Sequence, residues 1–289
     1  MKKIILFFLV FILAGFFVSE ARAFSISPLK YLLTVAPGEN KNLSLKIKND
    51  GQEKKFYALE TLGVRQDENG RTILAKGLTA AEKWATAEES VLEVGPGEEK
   101  TAVFKINVPQ TAAAGSYYIG LAAREMAESG GGDVGLSGQL ATIVFLQVSG
   151  QANESLGISK WAIGRLTLKK DWLFDLVVKN NGNIETPAVG RIIIRNWRGR
   201  IVYDKAVEMG VVLAGASRAF QTKVILAKGD YISGPHWAEM KIVYGRSGQT
   251  VSSTYCFWYV SPSMLLAVIL ILVLAVLISF RYKKHRRFE

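Results

Sequence analysis

An uninterrupted apolar run from Met264 to Phe280, closed by Arg281, Lys283, Lys284, Arg286 and Arg287, constrains this chain more than any other feature. A helix apolar on every side has no face to turn to water, so such a segment is expected in a bilayer. Trp258, Tyr259 and Tyr282 flank the run where amphipathic rings settle among headgroups, and basic residues so close to a membrane segment stay on the cytoplasmic side. Residues 261–281 are therefore expected to form a transmembrane helix, with Met264 and Phe280 marking the anchor, and 282–289 a basic cytoplasmic tail. The N-terminal part is then extracytoplasmic, on a single-pass protein of the cell membrane.

The other end also reads as a membrane signal, of a removable kind. Lys2 and Lys3 precede an apolar stretch from Ile4 to Val18, and Ala21-Arg22-Ala23 supplies the small-x-small pattern that signal peptidase cuts. The stretch is shorter than the roughly 20 residues that span a bilayer. Residues 1–23 are expected as a signal peptide cleaved before Phe24.

Roughly 235 residues remain between the two ends, enough for two domains, expected at 24–150 and 151–260. The formal net charge of +11 is unevenly shared. Residues 24–150 hold 13 basic and 15 acidic side chains, a net of −2, whereas 151–280 hold 15 and 8, a net of +7. A basic module beside a membrane attracts anionic lipid, an anionic wall polymer or an acidic partner. Nucleic acid is not an expected partner outside the cell. Cys256 is the only cysteine, so no intrachain disulfide can form. It is expected as a small buried hydrophobe, with pairing to a second chain as the alternative.

Strict alternation runs through the remainder. Leu43, Leu45 and Ile47 point one way while Asn42, Ser44, Lys46 and Lys48 point the other, the mark of a half-buried strand. Further strands are expected at 103–108, 117–122, 141–148, 173–179, 191–196, 200–204, 219–226, 238–244 and 254–260, separated by Gly, Pro and Asn punctuation. Asn69-Gly70 predicts a tight hairpin between 61–65 and 71–75. Residues 80–89, with Trp84, read as a short helical turn or loop, and 149–155 as the linker. Pro37-Gly38-Glu39 through Ile47 repeats as Pro96-Gly97-Glu98 through Ile106, six of eleven positions being identical. Turn signals every 8–12 residues and alternating strands give the expected fold class: all-β, two immunoglobulin-like β-sandwich domains followed by a single transmembrane α-helix.

Catalytic chemistry finds no constellation in this chain. His236 is the one histidine before the tail and is expected at the start of a strand, half-exposed; no triad, metal site or cofactor site is expected. The glycine-rich stretch Ser129 to Gly135 lacks the Lys-Ser/Thr ending of a phosphate loop and reads as a hairpin loop. Arg191, Arg195, Trp197, Arg198 and Arg200 crowd one hairpin and form the candidate anionic contact, the alternative being a solvated edge whose charges prevent sheet-to-sheet pairing.

Ser27-Pro28 with Tyr31, Pro37-Gly38-Glu39, Asn49-Asp50-Gly51, Asn69-Gly70, Pro96-Gly97-Glu98 and Pro109…Gly115-Ser116-Tyr117-Tyr118-Ile119-Gly120 together resemble the first domain of the WxL-interacting surface proteins of bacteria. The resemblance implies a signal peptide, two immunoglobulin-like domains, one membrane helix and a basic tail. It also implies peptidoglycan attachment by the first domain and a partner surface protein held by the second. A non-catalytic, wall-facing scaffold is the expectation. Its alternative is an accessory or chaperone-like subunit of a secreted assembly that takes a partner strand at a sheet edge.

Overall fold

The computed structural model describes residues 24–126, 138–227 and 229–285. The expected signal peptide with Ala21 and Ala23, the glycine-rich stretch and the residues from Arg286 onward lie outside them.

The first half folds as β1 (Phe24–Ser27), β2 (Lys30–Val35), β3 (Asn40–Asn49), β4 (Lys55–Gln66) and β5 (Thr72–Ala75), then a 3-10 turn at Ala80–Trp84. It continues as β6 (Ala85–Ala87), β7 (Val91–Val94), β8 (Glu99–Asn107), β9 (Gly115–Glu125) and β10 (Gln139–Val148). One sheet has the order β1-β3-β8-β6; the other is β2-β10-β9-β4-β5, with β7 also paired to β4. The inward residues predicted by alternation, among them Leu43, Leu45, Ile47, Phe104 and Ile106, meet Ile119, Leu121, Val144 and Leu146 of the facing sheet. Each such side chain contributes about 1.5–3 kcal/mol by leaving water. Phe24, the residue after the expected cleavage bond, is buried in this core with its ring 4.7 Å from Tyr57.

The repeated Pro-Gly-Glu segments turn out to be partners. β3 and β8 are antiparallel neighbours, with Leu43 opposite Phe104 and Leu45 opposite Ala102. Gly38 and Gly97 have φ of 81° and 69°, the left-handed conformation required after the proline of a type II turn. The carboxylates of Glu39 and Glu98 then turn back to accept from the backbone N–H of Ala36 at 2.8 Å and of Gly95 at 2.7 Å. The glutamate belongs to the turn itself. At the predicted hairpin, Gly70 has φ of 80° between β4 and β5.

The second half folds as β11 (Leu156–Ala162), β12 (Leu166–Thr167), β13 (Trp172–Asn180), β14 (Thr186–Asn196), β15 (Ile201–Val212), β16 (Ser217–Val224), β17 (Gly234–Tyr244) and β18 (Gln249–Tyr259). Its sheets are β11-β13-β16 and β12-β18-β17-β14-β15. The core is aromatic: Trp172 meets Phe257 at 4.9 Å between ring centroids, and Trp161 stacks on Phe174 at 4.7 Å. The fold class expected from the pattern is the fold observed, two β-sandwiches and one long apolar helix, α1 (Pro262–His285). That helix contains Met264 and Phe280, is about 36 Å long at 1.5 Å per residue, and is long and apolar enough to cross a membrane.

Four local expectations are corrected. Residues 80–89 form a 3-10 turn that gives way to β6, because Ala85 is drawn into the core. β15 continues past Asp204 to Val212, since Met209 and Val212 are buried beyond the stretch where alternation is legible. Cys256 is exposed, because its neighbours Phe257 and Tyr255 take the inward side. His236 is fully buried among Trp172, Phe257 and Tyr259, and Tyr259 itself lies in the core, leaving Trp258 as the outward ring on β18.

Candidate functional site

The two sandwiches meet through hydrogen bonds from a few side chains. Gln66, the last residue of β4, donates from Nε2 to the Val211 carbonyl at 3.3 Å and accepts from the Leu213 N–H at 3.2 Å. The Tyr118 hydroxyl accepts from the Ala214 N–H and donates to the Glu185 carboxylate, both at 3.3 Å. Burial and the nearby Glu185 charge hold that phenol well above its ordinary pKa. Asn183 ties the linker: its amide donates to the carbonyls of Ala114 (2.8 Å) and Gln151 (2.9 Å), and its side-chain oxygen accepts from the Asn153 N–H (2.7 Å). Gly115, with φ of 148°, lets the backbone pass so closely that a Cβ there would stand 2.6 Å from the Asn183 carbonyl oxygen. The hairpin at Asn69-Gly70 reaches across as well, the Glu68 carbonyl accepting from the Ala219 N–H on β16 at 2.6 Å.

Beside this junction lies a cleft of about 380 Å³. Its floor is the outer face of the second sheet of the first sandwich, with Leu32, Val64, Tyr118, Ile143 and Phe145; Glu185, Val211 and Leu213 of the second sandwich form its wall. Along the rim runs β2, in parallel register with β10: Lys30 is opposite Ile143 and Leu32 opposite Phe145. Among the described residues no strand pairs with the other side of β2.

That edge is unusual for what it lacks. Sheet edges are normally blunted by brevity, bulges, charge or cover. β5, β6 and β12 are short; β11 and β15 carry register shifts; β16 has Arg218 and Lys223 and receives the Glu68 hairpin. β2 is six residues, regular, and shows Leu32 at 69% exposure with Leu29 just before it at 75%. Only Lys30 and Pro28 guard it.

The sequence-predicted arginine hairpin is divided by the structure. Arg191 and Arg195 stand on the outer face of the sheet, on β14, which lies between β15 and β17. Arg191 makes a bidentate pair with Asp204 at 2.6 and 2.8 Å, and Arg195 meets Glu239 at 3.5 Å. Trp197, Arg198 and Arg200 sit in the turn after β14: Arg200 pairs with Asp230 at 3.1 Å, and the Arg198 guanidinium lies 4.7 Å over the Trp197 ring. Three of the four arginines are thus matched by carboxylates, and an anion would compete with those pairs. Among the described residues no group of three or more His, Cys, Asp or Glu side chains could hold a metal ion. His236 is no catalytic candidate: Nδ1 engages the Gly234 carbonyl at 3.0 Å and aromatic rings enclose it.

The edge at β2 and the junction residues Gln66, Tyr118 and Asn183 were not legible as a site in the sequence. The signal available was Lys30 to Val35, an apolar stretch with weaker alternation than its neighbours just after Ser27-Pro28.

No family model and no curated protein sequence matches the chain. Among solved structures the outline is similar to a chain of the chaperone-tip adhesin complex of CFA/I fimbriae biogenesis, at 12% identity and a TM-score of 0.46, covering 82% of this chain and 99% of that one. The class 5 fimbriae chaperone CfaA compares at 14% and 0.45, over 82% and 99%. A chain of the Salmonella enterica SafA pilin and SafB chaperone complex compares at 9% and 0.41, over 84% and 98%. At these identities and TM-scores no residue role carries over from them to this chain.

Proposed function

We propose that this chain is a membrane-tethered, non-catalytic binding protein that holds an extended segment of a partner surface protein as an added strand on β2. The observation that carries the reading is the unpaired, thinly guarded edge of β2, with Leu29 and Leu32 exposed, at the rim of the junction cleft. A strand added there gains main-chain hydrogen bonds along its length, and every second side chain drops onto Leu32, Ile143 and Phe145. The layout that resembles WxL-interacting surface proteins agrees with such a role, an anchored holder exposed outside the cell. The reading of a peptidoglycan or wall-polymer contact through Arg191, Arg195, Trp197, Arg198 and Arg200 is the weaker one, since most of that charge is matched within the sheet.

The test is a photo-crosslinking side chain placed at Thr34 of the full-length chain, with and without Leu32→Lys. A crosslink to one extended segment of a single protein, lost in the lysine variant, is the expected outcome. Sedimentation with isolated peptidoglycan that Leu32→Lys leaves unchanged, with no crosslink from Thr34, would replace this reading by the wall-polymer one.

A further inference from the structure

The strand register sorts the second sandwich into two ends. Asn180, Val212, Ser217, Tyr244 and Gln249 lie toward the junction; at the other end Trp172 is opposite Val224, Gly234 opposite Tyr259, and Leu166 beside Trp258. α1 leaves from this second end after only Val260 and Ser261. The joint is also stapled: Ser233 Oγ donates to Ser261 Oγ at 2.8 Å and accepts from the Ser261 N–H at 2.9 Å, while Ser261 Oγ caps the helix by accepting from the Met264 N–H at 3.3 Å. The Val260 N–H is held by the Thr167 carbonyl at 3.0 Å. A sandwich so closely joined to a spanning helix has its base within the headgroup layer, because the two layers outside the hydrocarbon add only about 10–15 Å in all to a core of about 30 Å.

The side chains at that base suit the layer. Leu166, Leu168, Trp197, Ile225 and Trp258 are between 48% and 62% exposed, a surface that would be a liability in water. The turn of the arginine hairpin belongs to the same end, since the Trp197 indole N–H donates to the Ser233 carbonyl at 3.1 Å. The acids there are engaged: Asp171 with Lys223, and Asp230 with Arg200 at 3.1 Å. Lys169, Lys170 and Arg198 have no carboxylate partner among the described residues. Between the base and the first turn of α1 a groove of about 630 Å³ is lined by Lys170, Ile225, Tyr231 and Ser263, with the Lys170 ammonium 5.6 Å from the Tyr231 ring.

We infer that the base of the second sandwich is a bilayer-contact surface: Trp197, Trp258 and the exposed leucines seat among the headgroups and the uppermost acyl segments while Lys169, Lys170 and Arg198 bind the phosphates of anionic lipid. Aromatic rings and basic side chains are the groups that anchor at this depth, the basic ones by attraction to an anionic surface. The inference rests on α1 spanning the membrane. Its consequence is postural: the first sandwich, joined at the opposite end, is held off the surface with β2 presented outward.

The full-length chain, with Cys256→Ser to remove its own thiol, is reconstituted in phosphatidylcholine vesicles with and without phosphatidylglycerol. Spin labels are attached at Leu168→Cys, at Ile225→Cys, and at Glu53→Cys on the far end of the first sandwich. Expected is a several-fold lower accessibility to an aqueous nickel chelate at 168 and 225 than at 53, deepened by phosphatidylglycerol and reversed toward the position-53 value by Lys169→Gln, Lys170→Gln and Arg198→Gln together. A chain that stays in the vesicles after alkaline carbonate washing but shows equal accessibility at all three labels, or no response to the neutral variant, overturns the contact surface alone. A chain stripped off by carbonate overturns the anchor and the contact surface with it.

Discussion

The two sandwiches share one corner and differ in almost everything their surfaces do. Each turns that corner on a buried asparagine in an Asn-x-Gly sequence. Asn49 donates to the carbonyls of Glu53 and Val94 and accepts from the Gly51 N–H; Asn180 donates to those of Ile184 and Val212 and accepts from the Gly182 N–H. Around this common feature the first sandwich is near neutral, has a mainly aliphatic core with Phe24, Tyr57 and Phe104 among it, and leaves β2 open. The second is basic, has an aromatic core, and has every edge shortened, bulged, charged or covered. The contrast teaches that a shared fold leaves the surfaces free to differ, since one sandwich exposes an unpaired strand edge and the other closes its edges and runs on into the apolar helix.

The largest way to break that comparison is through the aromatic core. Trp172→Ala removes a fully buried ring that contacts Phe257, His236 and Tyr259, and should cost about 3–5 kcal/mol in chemical denaturation followed by near-ultraviolet circular dichroism. The first core should keep its protected amides in hydrogen exchange. Asn49→Ala and Asn180→Ala test whether the corners are equivalent: the first strands the buried Val94 carbonyl and the part-buried Glu53 carbonyl, the second the buried carbonyls of Ile184 and Val212, and each should lose about 1–3 kcal/mol. A difference well beyond that spread would break the equivalence.

Gly115→Ala sharpens the view of the junction. Its positive φ and the Asn183 carbonyl 2.6 Å from the new Cβ predict a cost of about 1–3 kcal/mol, and faster exchange at the Ser116 N–H, which donates to that same carbonyl.

A smaller effect distinguishes the cores by pH. Burial lowers the pKa of His236 from its ordinary 6.5, against a weaker opposing pull from the Gly234 carbonyl. The unfolded chain therefore takes up a proton at a higher pH than the folded one, so stability is full above about 6.5 and falls as the pH drops through the folded value. Melting temperature should decline on going from pH 7.5 toward 5, and His236→Phe should flatten that decline. Burial pushes the Glu60 carboxyl up, but Arg124 and Lys76 together outweigh it, and Lys160 does the same for Asp175, so both are held below their ordinary values and their contribution is lost only in more acidic solution. Least of all, Arg191→Gln should leave the melting temperature unchanged, because its partner Asp204 and the guanidinium are both open to water.

Much of the fold was legible because it is local. Alternation at Leu43, Leu45 and Ile47 names its own buried face, Asn69-Gly70 names its own turn, and a helix apolar on all sides names its own solvent. The candidate site was less so. The arginines of 191–200 form a cluster in the sequence, yet β14 sends Arg191 and Arg195 to carboxylates on neighbouring strands and delivers Trp197 and Arg198 to the end where the helix departs. His236 and Cys256 were misplaced for a related reason: in two-sided strands, one residue of register decides inside from outside, and register is set by distant partners.

The sequence by itself determined the β class, the Pro-Gly-Glu turns, the apolar helix and the charge imbalance, all properties of adjacent residues and their own φ preferences or periodicity. Only the tertiary structure decided that the two Pro-Gly-Glu strands pair with each other, that Gln66, Tyr118 and Asn183 join the sandwiches, and that β2 is left without a neighbour. A strand's sequence determines which side chains face the core. Whether its backbone N–H and C=O groups find partners depends on which other strands the topology brings alongside, and no window of the chain contains that information.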